Sequence, residues 1–196
     1  MLKKRVIFTL LYANGYFMLS RNFRLQKVGD IHWLKKNYNF SHIAFSIDEL
    51  IILDVSRGDR NTEKFYDNIR LLNDECFIPI AAGGGIREVR HASNLLKSGA
   101  DKVVINSLVG EDMSVISEIA SEFGQQSIVA SVDVKLINNE FTIWTNNGEV
   151  KQSQNLFKWL KYIEKAPIGE VYLNSIDRDG TGHGYQIELI EKIPDL

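Results

Sequence analysis

Ala82-Gly83-Gly84-Gly85-Ile86-Arg87 sets three consecutive glycines between the apolar run Ile78-Pro79-Ile80-Ala81-Ala82 and a stretch of helical period. A turn without side chains lets the backbone approach a ligand and aim N–H groups at an anion, which is how a phosphate is seated where a strand gives way to a helix. The same glycines serve a merely tight turn equally well, so the triplet needs company. It has Asp54, Asn106 with Ser107, Asp133, and the run from Asn174 to Asp179, each at the end of an apolar run. Asp133 is the candidate acid/base. It follows Ile128-Val129-Ala130-Ser131-Val132, where burial raises a carboxyl's pKa toward the range that suits proton transfer. Asp54 can instead cap the loop containing Arg57, and Asn106-Ser107 can cap the next helix.

The elements that must position these groups alternate. Apolar runs of strand length at 5–11, 50–54, 78–82, 102–105, 128–134 and 171–175 are separated by helical patterns near 31–36, 62–72, 89–98, 113–123, 155–163 and 186–193. Such alternation predicts a parallel sheet wrapped by helices, in six βα units. Every strand but the first reads as a near-continuous apolar run, which predicts burial on both faces. Leu136 to Thr145 instead alternates around Asn138-Asn139, which predicts a small hairpin inserted after strand five. Leu53-Asp54-Val55-Ser56-Arg57-Gly58-Asp59 is echoed by Ser175-Ile176-Asp177-Arg178-Asp179-Gly180, as in a barrel of two similar halves. A closed barrel of this class has eight strands, and six would leave two apolar edges unpaired. The expectation is therefore one domain over residues 1–196 of the (βα)8 TIM-barrel class, lacking the last two βα units. An open doubly wound sheet, or closure by another chain, is the alternative.

Composition narrows the partners. The chain has 196 residues, 44% of them hydrophobic, enough for one sizeable core. Its 23 basic and 25 acidic residues give a formal charge of −2, with no electrostatic case for nucleic acid or an anionic membrane. The single cysteine, Cys76, excludes an intrachain disulfide and reads as an inert buried thiol. His32, His42, His91 and His183 lack metal-ligand spacing, so no metal or other cofactor is expected. Met1-Leu2-Lys3-Lys4-Arg5 precedes an apolar run of about six residues, short of the ~7–15 of a signal peptide. That run reads as a buried first strand, and a cytoplasmic location is expected.

Ile47-Asp48-Glu49-Leu50 leading to Leu53-Asp54, the glycine triplet with Ile86, Gly99-Ala100-Asp101-Lys102-Val103 to Asn106, and Ser175-Ile176-Asp177-Arg178-Asp179-Gly180-Thr181 form an ordered set. Together they resemble the cyclase subunit of imidazole glycerol phosphate synthase. The resemblance implies a barrel that takes ammonia from a separate glutaminase and adds it to a ribulosyl phosphate intermediate of histidine biosynthesis. Its products are imidazole glycerol phosphate and an aminoimidazole carboxamide ribotide.

Carried over by position, the resemblance makes Asp133 catalytic and puts Gly85, Asn106 and Ser107 in a phosphate grip, with Asp54 and Asp179 in the mouth. At the opposite end it makes Arg5, Glu49, Lys102 and Glu170 a charged gate for ammonia, and Asp101 a contact to the glutaminase. Two positions depart from the family. Leu11 stands where the family has the second aspartate of its acid/base pair, and Leu19 where it has a phosphate-holding lysine. Losing one general acid or base costs about 10²–10⁴ in rate. A paralogue that conducts ammonia to a sugar amidotransferase in surface-polysaccharide synthesis is therefore an alternative. A phosphosugar isomerase on the same barrel is a second.

Overall fold

The structure, a computed structural model, describes residues 4–43 and 45–193. The chain forms two compact units, one built from residues up to Leu19 and from Gln26 to Val104, the other from Ser20 to Leu25 and from Ile105 onward.

The chain opens with β1 (Ile7–Ala13), β2 (Tyr16–Arg21) and β3 (Arg24–Gly29), which belong to the first unit except for the hairpin tip Ser20–Leu25, part of the second. Asn14 and Gly15, at φ 51° and 89°, make the two-residue turn that joins β1 to β2, with Ala13 opposite Tyr16. Asn-Gly suits this turn because both central residues need positive φ. Then come α1 (Ile31–Asn37), α2 (Phe40–Ile43), β4 (Glu49–Asp54), α3 (Thr62–Asn73), β5 (Ile80–Gly83), α4 (Val89–Lys97) and β6 (Lys102–Ile105). The strands lie in the order β3-β2-β1-β4-β5-β6, with β1, β4, β5 and β6 mutually parallel. Leu50, Ile52, Ile80, Ala81 and Ala82 are fully enclosed, as strands covered on both faces must be. On α3, Phe65, Ile69 and Leu72 fall at helical spacing and are buried, while Asn61 caps the helix by accepting from the Lys64 amide at 3.1 Å.

Two aspartates fix where strands start. Asp101 exchanges two bonds with Ile80: its amide donates to the Ile80 carbonyl at 2.7 Å, and its carboxylate accepts the Ile80 amide at 2.8 Å. Asp48 does the same with Val6, at 2.7 and 2.8 Å. In the second unit the equivalent place before a strand holds Gly169, whose amide reaches the Ile128 carbonyl at 3.0 Å with no carboxylate to complete the pair.

The second unit contains α5 (Ser107–Glu111), α6 (Met113–Phe123), β7 (Ile128–Ile137), β8 (Glu140–Thr145), β9 (Val150–Asn155), α7 (Leu156–Glu164), β10 (Glu170–Ser175) and α8 (Ile187–Ile190). β10 runs parallel to β7, and β7 turns at Asn138-Asn139 into the antiparallel β8, which pairs in turn with β9. Both asparagines have positive φ, 49° and 65°.

Within each unit the parallel strands and their helices match the sequence expectation, with shifts of a few residues. Four differences have physical causes. The first strand is Ile7–Ala13 rather than 5–11, because Arg5 turns its guanidinium to Glu49 at 2.8 Å. The β2–β3 hairpin was not expected, since β3 is largely exposed and shows no apolar run. The inserted hairpin gains a third strand, β9, which is polar and exposed. β10 is not buried on both faces: Val171 is 38% exposed, and β7 is its ladder partner among the described residues. Cys76 is buried, and its thiol is pushed up to about 11 by burial, with the Glu75 carboxylate adding to the rise. Among the described residues no helix is long and apolar enough to cross a membrane.

Candidate active site

Asp133 lies in β7 with only 7% of its surface exposed. In register beside it on β10 is Asn174, whose amide donates to Oδ1 at 3.3 Å. Asn106 donates to Oδ2 at 3.1 Å and also to the Ser131 carbonyl at 3.0 Å. Asn106 occupies the N-cap position of α5 yet makes no capping bond with its side chain. Its side-chain NH2 donates to Asp133 instead, so the side chain does not act as the cap. Burial pushes the Asp133 carboxyl up to about 7; the Asp179 carboxylate adds to the rise, while the amides of Asn174 and Asn106 oppose it. A carboxyl in that range exchanges a proton readily at neutral pH.

Ser107 bridges locally, donating to Asn106 Oδ1 at 3.4 Å and accepting the Asn146 amide at 3.1 Å. Asp179 holds the hairpin tip: its carboxylate accepts from Ser20 Oγ at 2.5 Å and from the Phe23 amide at 2.9 Å. Asn22 adds bonds to the Ile176 and Asp177 carbonyls, both at 3.0 Å. Gly180 permits the approach, because a Cβ there would lie 1.8 Å from the Ser20 carbonyl oxygen.

In the first unit each glycine of the triplet meets a different neighbour. A Cβ on Gly83 would fall 2.3 Å from the Val104 carbonyl oxygen, one on Gly84 2.3 Å from that of Asp54, and one on Gly85 3.0 Å from Arg60 Nη1. Asp54, itself buried, does cap its loop: Oδ1 accepts the Ser56 amide at 2.9 Å and hydroxyl at 2.5 Å. The cation at its other oxygen is Arg60, with Nε 3.7 Å from Oδ2. Leu11 is half-buried between Met18 and Leu53 of the flanking strands, and Leu19 is 59% exposed.

At the opposite ends of these strands, Glu49 is buried and binds two cations. Arg5 Nη1 lies 2.8 Å from Oε2, and Lys102 Nζ is 3.1 Å from both oxygens. A carboxylate held this way is compensated where a lone one would be costly. Three of the four expected gate residues are thus brought together. Glu170 begins β10 in the second unit, and Asp101 is engaged with Ile80. Sequence reasoning counted Asn174 among the strand-end polar groups without pairing it to Asp133, and gave no role to Arg60. Asn174 was visible as a strand-end amide; nothing in the spacing singled out Arg60.

Parallel strands alternating with helices, polar groups at the carboxyl ends of the strands and a buried titrating carboxyl define an α/β protein of the TIM-barrel class. The family model for histidine biosynthesis proteins matches residues 22–196. A protein of Parasynechococcus marenigrum provisionally named imidazole glycerol phosphate synthase subunit hisF2 is 45% identical over 195 residues, 100% of this chain and 72% of the relative. The imidazole glycerol phosphate synthase subunit HisF of Sulfurisphaera tokodaii is 35% identical, and that of Chlorobaculum parvum 34%, each over 98% of this chain and 76% of the relative. The chain belongs to the imidazole glycerol phosphate synthase subunit HisF family.

Proposed function

We propose that the chain is the cyclase subunit of an imidazole glycerol phosphate synthase in histidine biosynthesis, adding ammonia to a ribulosyl phosphate intermediate with Asp133 as acid/base. The observation that carries this reading is the buried Asp133 carboxyl, pushed up to about 7 and held by an amide on each oxygen. When ammonia adds to a carbonyl, the new C–N bond forms as the oxygen takes a proton and the nitrogen sheds one. A carboxyl titrating near neutrality can give the first and accept the second.

In this reading phosphate binding falls to Gly85 and, separately, to Asn106 and Ser107, while Asp54 and Asp179 shape the substrate end. Arg5, Glu49, Lys102 and Glu170 gate ammonia from a partner glutaminase that docks beside Asp101. The chain works in the cytoplasm and needs no metal or cofactor.

Leu11 favours a second reading, in which the barrel passes ammonia to a sugar amidotransferase of surface-polysaccharide synthesis and the cyclase chemistry is lost. Turnover of the ribulosyl phosphate intermediate with ammonium salt separates the two. Formation of imidazole glycerol phosphate that falls at least about 100-fold in Asp133→Asn supports the cyclase. A chain that makes none, but gains activity with Leu11→Asp, supports the conduit.

A further inference from the structure

Leu19 offers no cation for a substrate phosphate, but the glycine turn has one close by. A Cβ on Gly85 would sit 3.0 Å from Nη1 of Arg60 and 3.2 Å from its Cδ and Cζ, so the guanidinium lies against the bare face of the turn. Asp54 Oδ2 is 3.7 Å from Arg60 Nε, and that nitrogen is buried without a hydrogen-bond partner. An arginine whose purpose is to neutralise a carboxylate normally closes a two-bond fork upon it at 2.7–2.9 Å. Here Asp54 gives Oδ1 to Ser56 and orients Arg60 from a distance.

The side chain, 28% exposed, fronts a cleft of about 540 Å³ that also includes Asn14, Asp59, Glu63 and Lys64. Two cations and two acids make this lining neutral. That mixture fits a polyol monophosphate, with its anion on the guanidinium and its hydroxyls toward the carboxylates, better than a polyanion.

We propose that Arg60 is a substrate-phosphate ligand of this chain, supplying at this cleft, beside Gly85, the cation that Leu19 does not. The assignment rests on the reading above that the substrate is a phosphorylated small molecule. It explains why the guanidinium lies along the glycine backbone rather than closing on Asp54.

The test uses ribose 5-phosphate and ribose as probes of the whole chain by titration calorimetry. The wild type binds ribose 5-phosphate and not ribose, Arg60→Gln weakens that binding by about tenfold or more, and Arg60→Lys falls between. Adding Leu19→Lys to Arg60→Gln restores part of the loss. Should Arg60→Gln fail to fold, the Arg60 Nε resonance of the wild type in ¹⁵N NMR serves instead: it shifts with ribose 5-phosphate and stays with ribose. Binding that Arg60→Gln retains within about twofold, or an Nε resonance unmoved by bound ribose 5-phosphate, overturns the assignment alone. A wild type that binds no ribose 5-phosphate overturns the phosphate reading together with it.

Discussion

Asn174 stands beside Asp133 in the β10–β7 register and donates its side-chain amide to the carboxyl at 3.3 Å. Such a donor favours the ionised form, so it works against the burial that pushes the same carboxyl up. Asn174→Leu removes it. The Asp133 titration then moves above its present value of about 7, which ¹³C NMR of the carboxyl reads directly. The part of a pH–rate profile that follows ionised Asp133 moves to higher pH with it. A purely structural Asn174 would change stability and leave both titrations in place.

Asp133 also makes stability depend on pH. Its carboxyl titrates near 3.8 in an ordinary setting and near 7 in the folded chain, so between those values the folded state keeps a proton that the unfolded state has lost. Stability therefore falls as pH rises through this window, by up to about 1.4 kcal/mol per pH unit. Asp133→Asn abolishes that contribution. The variant matches the wild type in thermal unfolding near pH 4 and exceeds it near pH 8.

The Glu49 cluster predicts the opposite sign for removal of a carboxylate. Glu49→Ala takes from the mostly buried Lys102 and from Arg5 a partner that each contacts at 3.1 Å or less. Breaking a buried pair costs about 3–5 kcal/mol, and the partial exposure of Arg5 places this case at about 3 kcal/mol. Urea unfolding of the variant checks the figure. A loss under about 1 kcal/mol would put the cluster in the class of surface ion pairs.

Two glycine substitutions separate backbone strain from crowding. At Gly182, φ +73°, an added Cβ would meet nothing within 4 Å, so Gly182→Ala costs only the left-handed penalty of about 1–2 kcal/mol. Gly84, at φ +123°, would drive its Cβ to 2.3 Å from the Asp54 carbonyl oxygen. Gly84→Ala adds about 1–3 kcal/mol of overpacking to the strain. Side-by-side denaturation of the two variants measures the difference.

Much of the fold is legible because buried parallel strands leave unmistakable apolar runs. Lys102–Ile105 and Met113–Phe123 fall where their patterns end. Asn14-Gly15 announces only the turn from β1 into β2; the β2–β3 hairpin, turning at Asn22-Phe23, leaves no apolar signal, because Phe17 is the one buried side chain on β2 and β3 has none. The site is legible in its types but not in its pairings. Asp133 stands out as a carboxyl ending an apolar run, whereas its partners come from positions 27 and 41 residues away, joined by fold and register alone. Arg60 escapes notice for a related reason: its meaning lies in the Gly85 face it covers, and Gly85 belongs to another βα unit.

The glycine triplet carries a consequence for how this lineage can diverge. Gly83 answers to the Val104 backbone and Gly84 to that of Asp54, so both positions are closed to a side chain by separate neighbours, while Gly85 is held to glycine by its φ of +68°. Selection for a folded chain is enough to preserve the turn, whatever becomes of the reaction. Leucines can arise at positions 11 and 19 while the turn's backbone stays in place. A protein built this way can exchange its chemistry long before it loses the shape of its binding site.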